Sequence, residues 1–258
     1  MAGALAICLS KCSPLRNPLS GALALRRRSS RASLEILAPR SSISSQLERG
    51  TRVGIARASI STSAIGGRTE RKAGMDLFQI SPSSVLKLQR GDITKWFVNG
   101  STDAIVNAAN ERLQRGGGVD GAIHRAAGPL LQAACLEIPE VQPGVRCPTG
   151  EARITPAFQL PVSRIIHTVG PIYDAHRHPE VLLRKAYRNS LQLAKENNIE
   201  YIAFPSISCG VFGYPFDEAS NVAISTIKEF SDNFKEVHFV LFEDEVYNAW
   251  LESARKLL

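Results

Sequence analysis

Apolar and polar positions alternate along residues 76–258 in blocks that predict strands and helices taking turns. Val85–Leu88 reads as a strand that runs into Arg90-Gly91-Asp92-Ile93-Thr94, and Ala104-Ile105-Val106 as a buried strand ending at Asn107. After a polar turn and three glycines (116–118), Val119, Ile123, Ala126 and Ala127 recur at helical spacing until Gly128-Pro129 stops them. Pro129–Ile138 predicts a second short helix, and the segment holding Pro143, Gly144, Pro148 and Gly150 predicts a loop. Ala152–Thr155 and Arg164–Val169 follow as strands. Leu182, Leu183, Ala186, Tyr187, Leu191 and Ala194 then mark a helix over Pro179–Asn197. Strand Tyr201–Phe204, helix Phe216–Phe230, strand Val237–Phe242 and helix Val246–Leu258 complete the pattern. Such alternation predicts one α/β domain with helices on both faces of a sheet.

The front of the chain has a different chemistry. Residues 1–75 carry 13 Lys and Arg against Glu35, Glu48 and Glu70, a charge of +10, and the remaining residues carry 18 against 21, or −3. The net +7 of the whole chain therefore belongs to the leader, and the folded part offers no basic surface for nucleic acid. Rich in Arg, Ser and Ala and poor in acids, residues 1–75 read as an organelle transit peptide. The dominance of Arg over Lys favours the mitochondrion over the chloroplast. Its apolar stretches are too short to span a membrane, and nothing after residue 75 is long and apolar enough to do so. Cys135, Cys147 and Cys209 are too scattered for a disulfide framework or a CxxC metal pair, and no metal site is expected.

Two loops after strand ends carry the chemistry, 107–121 and 205–215. Both are rich in glycine and small residues, so a ligand can come close to the backbone. In the first, the backbone N–H groups of Gly117, Gly118 and Val119 open a helix, which suits an anion such as phosphate. Asn107, Asn110 and Asp120 add two amides and a carboxylate within reach of the same spot.

Five fragments in these regions, GDIT at 91–94, DAIVNAAN at 103–110, GGGVDGAIHRAAGP at 116–129, IIHTVGP at 165–171 and PSISCGVFGYP at 205–215, resemble a macrodomain of the MacroD type. They stand in the family's order, and the resemblance covers the chain from about residue 85 onward. It implies a three-layer α/β/α fold on a mixed, mostly parallel sheet. It also implies binding of ADP-ribose and hydrolysis of its esters, either O-acetyl-ADP-ribose or mono-ADP-ribose on Asp and Glu side chains of proteins, without metal or cofactor. Carried onto this chain, Asp92 would accept from the adenine amino group beside the Ile93 N–H, and Phe242 would stack on adenine. Asn107 would support the loop, Asn110 would hold the distal ribose, and Asp120 would orient or deprotonate the attacking water. Ser208, Cys209, Gly210, Val211 and Phe212 would form the second phosphate loop, with Phe212 packed on the distal ribose. Arg115 departs from the pattern where relatives carry a further glycine, and Cys209 where they often carry Thr or Ser.

Read without the resemblance, Asp92 caps a turn, and Asp120 is an acid in the first turn of a helix, favourable there with no function. His124, four residues after Asp120, is expected to make a structural hydrogen bond, and His176 and His178 to be solvated. A non-catalytic ADP-ribose reader is the main alternative, disfavoured by Asp120. Gly116-x-Gly118-x-x-Gly121 satisfies a dinucleotide fingerprint, but Asn107 through Arg115 separate it from the strand. A monomer with no nucleic-acid or membrane partner is the expectation.

Overall fold

The structure is a computed structural model, and it describes residues 70–72 and 74–258. The leader read as a transit peptide thus lies almost wholly outside the described residues. One eight-stranded sheet runs through the fold: β1 (Glu70–Lys72), β2 (Met75–Ser81), β3 (Ser84–Arg90), β4 (Asp103–Ala108), β5 (Ala152–Pro156), β6 (Arg164–Thr168), β7 (Tyr201–Phe204) and β8 (Glu236–Leu241). The helices are α1 (Gly118–Ala127), α2 (Pro129–Glu137), α3 (Pro179–Glu196), α4 (Phe216–Lys228) and α5 (Asp244–Leu257). Each predicted strand and helix is present, with ends shifted by one or two residues.

Strand order is β1-β2-β3-β8-β7-β4-β6-β5. The pairs β3/β8, β8/β7, β7/β4 and β4/β6 are parallel, while β1/β2, β2/β3 and β5/β6 are antiparallel. Side chains alternate across the strands, and each face finds its own helices. Ala104, Val106, Ile166, Ile202, Phe204 and Phe239 pack with Leu183, Tyr187 and Leu191 of α3, Ala223 and Ile227 of α4, and Trp250 of α5. Ile105, Ile165, Ala203 and Val240 point the other way, to Ile123 of α1 and Leu131 and Cys135 of α2. The three layers expected from the resemblance are all there.

The sheet begins earlier than the sequence pattern indicates. β1 and β2 form a hairpin around Gly74, which has a positive φ of 84°, and β2 then pairs with β3. Phe78 is the one apolar side chain of β2 that is buried, so the strand's signal falls short of a fully enclosed strand's. Two short 3-10 turns, Ile93–Lys95 and Tyr173–Ala175, also escape the pattern. No helix among the described residues is long and apolar enough to cross a membrane.

Position in the sheet decides where a ligand can sit. β4 is flanked by β7 and β6, all three parallel, so their C-terminal ends open on one side of the molecule. From β4 the chain proceeds to β6 on one flank, and from β7 to β8 on the other. The crevice at this reversal is where open α/β sheets take ligands.

Candidate functional site

Three loops leave these neighbouring strand ends: 107–118 after β4, 169–171 after β6 and 205–215 after β7. They enclose a cavity of about 330 Å³ lined by Asn110, the three glycines Gly116–Gly118, Val119, Asp120, Gly170, Ser206, Ser208, Gly210, Val211 and Phe212, with Ala108 and Ala109 at its base. The parallel ladder continues into this region through Ala109 N–H donating to Thr168 O at 2.9 Å.

Local backbone chemistry shapes the walls. Gly118, the first residue of α1, has φ +54°, a left-handed conformation that glycine adopts without cost. Nothing lies within 4 Å of where a Cβ would stand at Gly117, Gly118 or Gly210, so a ligand can press against bare backbone on both sides. The α1 N-terminus faces this space with free N–H groups and a partial positive charge, as an anion requires. Across the cavity, Gly213 N–H donates to Gly210 O at 2.9 Å, Tyr214 N–H to Ser208 O at 3.0 Å, and Tyr173 N–H to Phe212 O at 2.9 Å. These bonds hold loop 205–215 in a tight arch.

Asp120 is the buried charge of the site, 5% exposed in the first turn of α1. One carboxylate oxygen accepts from Gly116 N–H, and the other accepts from Asn107 Nδ2 at 2.6 Å. The oxygen held by Gly116 keeps a lone pair for a further partner. Asn107 is fully buried on β4, and its nitrogen must face Asp120, because a carboxylate only accepts. The same nitrogen lies 3.1 Å from Nδ1 of His167, which places that ring's proton on Nε2, 2.9 Å from Thr155 Oγ1. Burial, with the neighbouring His124, pushes the His167 pKa down to about 3, so the ring is neutral. Asn107 therefore braces the Asp120 carboxylate rather than the loop.

His124 completes the buried group, its Nε2 3.5 Å from the Asp120 oxygen that Asn107 also holds. Desolvation lowers its pKa, Asp120 opposes that shift, and Arg115 adds to it. The two side chains meet on one helix face, as their spacing four residues apart predicts. Neither His167 nor Thr155 stood out in the sequence, although His167 lies within the IIHTVGP fragment. Gly170 of that fragment is a second omission: a Cβ there would stand 2.1 Å from Ser208 Oγ and 2.6 Å from the Ile207 side chain.

The remaining predicted residues divide. Asn110 lines the cavity, but its amide closes its own loop, donating to Gln114 O and accepting from Gln114 N–H at 3.3 Å. Phe212 and the fully exposed Val211 stand on the rim. Ser208 lines the cavity at φ +67°. Cys209 does not reach it: the side chain packs into the core, Sγ lies 3.5 Å from Ile207 O, and its N–H is taken by Ser206 O. Burial raises its thiol to about 12, as it does those of Cys135 and Cys147, so no reactive thiolate faces the site.

Asp92, Ile93 and Phe242 lie outside the cavity lining. Asp92 caps the 3-10 turn through Thr94, accepting from its N–H at 2.9 Å and its hydroxyl at 2.7 Å. The Thr94 hydroxyl bond is the leading cause that lowers its pKa. Ile93 is buried against α1 and α2. Phe242 follows β8 and is 84% exposed. Since Arg90 pairs with Leu241, Asp92 and Phe242 leave adjacent parallel strands at the same edge as the cavity. His176 is half-buried at the edge of a neighbouring cavity, while His178 is exposed beside Glu180.

Comparison with known proteins agrees with this architecture. Residues 106–223 match the family model described as Macro domain. A macro domain-containing protein of Vibrio parahaemolyticus is 48% identical over 65% of this chain and 95% of its own length. The O-acetyl-ADP-ribose deacetylase of Salmonella typhimurium is 49% identical over 63% of this chain and 90% of its own. Among solved structures, the Oceanobacillus iheyensis macrodomain with ADP superposes at a TM-score of 0.66 and 45% identity, covering 71% of this chain and 96% of that one. A Trypanosoma brucei macrodomain in complex with ADP-ribose gives 0.56 and 38%, covering 65% and 68%.

Proposed function

The chain belongs to the macro domain family, and from that premise we propose that it binds ADP-ribose and hydrolyses esters at the distal ribose. The observation that carries the catalytic half is the Asp120 carboxylate. It is buried, fixed at both oxygens, and turned to a cavity between two glycine-rich loops. The relatives named O-acetyl-ADP-ribose deacetylase support hydrolysis of the acetyl ester. Mono-ADP-ribose on Asp and Glu side chains carries the same kind of ester and is the second substrate of this reading.

In this mechanism the α1 N-terminus and the arch at 208–212 hold the pyrophosphate, and Asn110 and Phe212 place the distal ribose. A water accepted between a free lone pair of Asp120 and a phosphate oxygen attacks the ester. Free ADP-ribose and a carboxylate are released. Asp120 has little freedom to move, so the water is held in line rather than sought, and positioning lowers the barrier. Hydrolysis in this reading uses no metal, and EDTA tests that.

The test is release of ADP-ribose by the full-length protein from O-acetyl-ADP-ribose and from a Glu-linked mono-ADP-ribosyl peptide, with EDTA present. Replacing Asp120 by Ala is expected to lower turnover at least about 100-fold, the size of a lost acid–base group, with ADP-ribose still bound in calorimetry. Persistent turnover in that variant sinks the assignment. The reader alternative draws on the Asn110 amide, which is engaged with Gln114, and predicts binding without release from either substrate.

The same proposal includes an address. Residues 1–75 fused to a fluorescent reporter are expected to carry it into mitochondria, ahead of chloroplasts, and a cytosolic reporter would refute that reading.

A further inference from the structure

A second cavity, about 660 Å³, adjoins the first and shares Asn110, Gly170 and Phe212 with it. Two of these, Asn110 and Phe212, are the residues assigned to the distal ribose. A group joined to that ribose therefore emerges into the second cavity, which is far larger than an acetyl group needs. Its walls are uneven in character. Val145 and Ile172 supply apolar surface, and Arg112 and Arg115 supply two exposed guanidinium groups that make no ion pair or side-chain hydrogen bond among the described residues. The carboxylate that lines it, Glu111, is already engaged, accepting from Thr149 N–H at 3.0 Å and Thr149 Oγ1 at 2.9 Å. Two cations without an ion partner among the described residues therefore line the exit from the ribose, and the one carboxylate described in its lining is already engaged.

We infer that this second cavity is a subsite for an acidic peptide segment flanking an ADP-ribosylated Asp or Glu. The inference rests on the ester-hydrolase reading of the neighbouring site and names its substrate class. Guanidinium forks match carboxylates two bonds at a time, so Asp and Glu neighbours of the modified residue are the partners they recognise. The apolar wall takes the aliphatic parts of the same peptide. O-acetyl-ADP-ribose, which carries no peptide, does not reach the arginines.

The experiment measures kcat/KM of the full-length protein on O-acetyl-ADP-ribose and on two peptides mono-ADP-ribosylated at a central Glu. One peptide is flanked by Asp and Glu, the other by Ser and Gln. The acidic peptide is expected to be favoured about tenfold, the size of one charge-assisted hydrogen bond, and added salt should erode the preference. Arg112→Glu should abolish or reverse the preference while turnover of O-acetyl-ADP-ribose stays unchanged, which also shows the variant to be folded. Equal rates on the two peptides, or a preference that survives Arg112→Glu, overturns the subsite. Loss of O-acetyl-ADP-ribose turnover in that variant also overturns it, because Arg112 would then serve the ribose site. If the wild-type protein cleaves O-acetyl-ADP-ribose but neither peptide, the peptide-ester reading fails, and the subsite with it.

Discussion

Gly170 has no room for a methyl group, and what it would strike is known: the hydroxyl of Ser208 and the side chain of Ile207. Gly170→Ala should cost about 1–3 kcal/mol, as overpacking does, and weaken ADP-ribose binding by displacing the arch. Thermal unfolding and calorimetry would check both. Ser208 is itself strained, with a left-handed φ and a buried hydroxyl that has no partner among the described residues. Ser208→Gly should relieve about 1 kcal/mol and partly rescue Gly170→Ala, so the two changes should not add. A double variant as unstable as Gly170→Ala alone would show that Ile207, not Ser208, sets the limit. The residues of the site were visible as motifs, because Asp120, Asn110 and the glycines cluster within a short stretch. Their partnerships were not. Asn107 meets His167 across 60 residues of sequence, and Cys209 turns inward for reasons of packing that its neighbours in the chain do not reveal.

At the level of elements, Gly121 sets two effects against each other. An alanine inside a helix gains about 1 kcal/mol over glycine in intrinsic propensity. Here its Cβ would stand 2.7 Å from Gly116 O, a backbone atom that cannot swing aside. Steric displacement wins, and it pushes the residue whose N–H holds Asp120. Gly121→Ala is therefore expected to lower kcat more than it raises KM for O-acetyl-ADP-ribose. An unchanged kcat would mean that the Gly116 bond does not position the carboxylate. Elements were more legible than partnerships: the parallel strands β4, β6, β7 and β8 are short apolar runs, enclosed on both faces. β1 and β2 escape the pattern because this antiparallel flank carries Glu70, Arg71, Lys72, Asp76 and Gln79 in its sequence, and β2 buries few of its side chains.

For the whole molecule, the buried titrating groups set the response to acid. His167 is held neutral with a folded pKa near 3 against an ordinary 6.5, so the unfolded chain binds the extra proton between those values. Stability from this group is fully present above pH 6.5 and is lost as pH falls toward 3, by up to about 1.4 kcal/mol for each pH unit of that window. His124 and His238, both lowered by burial, act in the same direction just below 6.5. Glu236, held near 2 chiefly by its hydrogen bond from His238, adds a loss as pH falls from 4.5 to 2. Urea midpoints should be flat above pH 7 and drop steadily below 6.5. His167→Gln should flatten the upper part of that slope, and an identical slope in the variant would assign it elsewhere.

The pairing of β3 with β8 has a consequence for how the protein comes into being. Residues 84–90 meet their parallel partner only at residues 236–241, so the sheet cannot close until that distant segment has left the ribosome. During that interval the far edge of β3 waits unpaired beside its hairpin, a ready template for the wrong strand. Long-range parallel pairing of this kind closes slowly. A chaperone that shields the nascent chain should raise the yield of folded protein, and a chain cut before Glu236 should aggregate during synthesis.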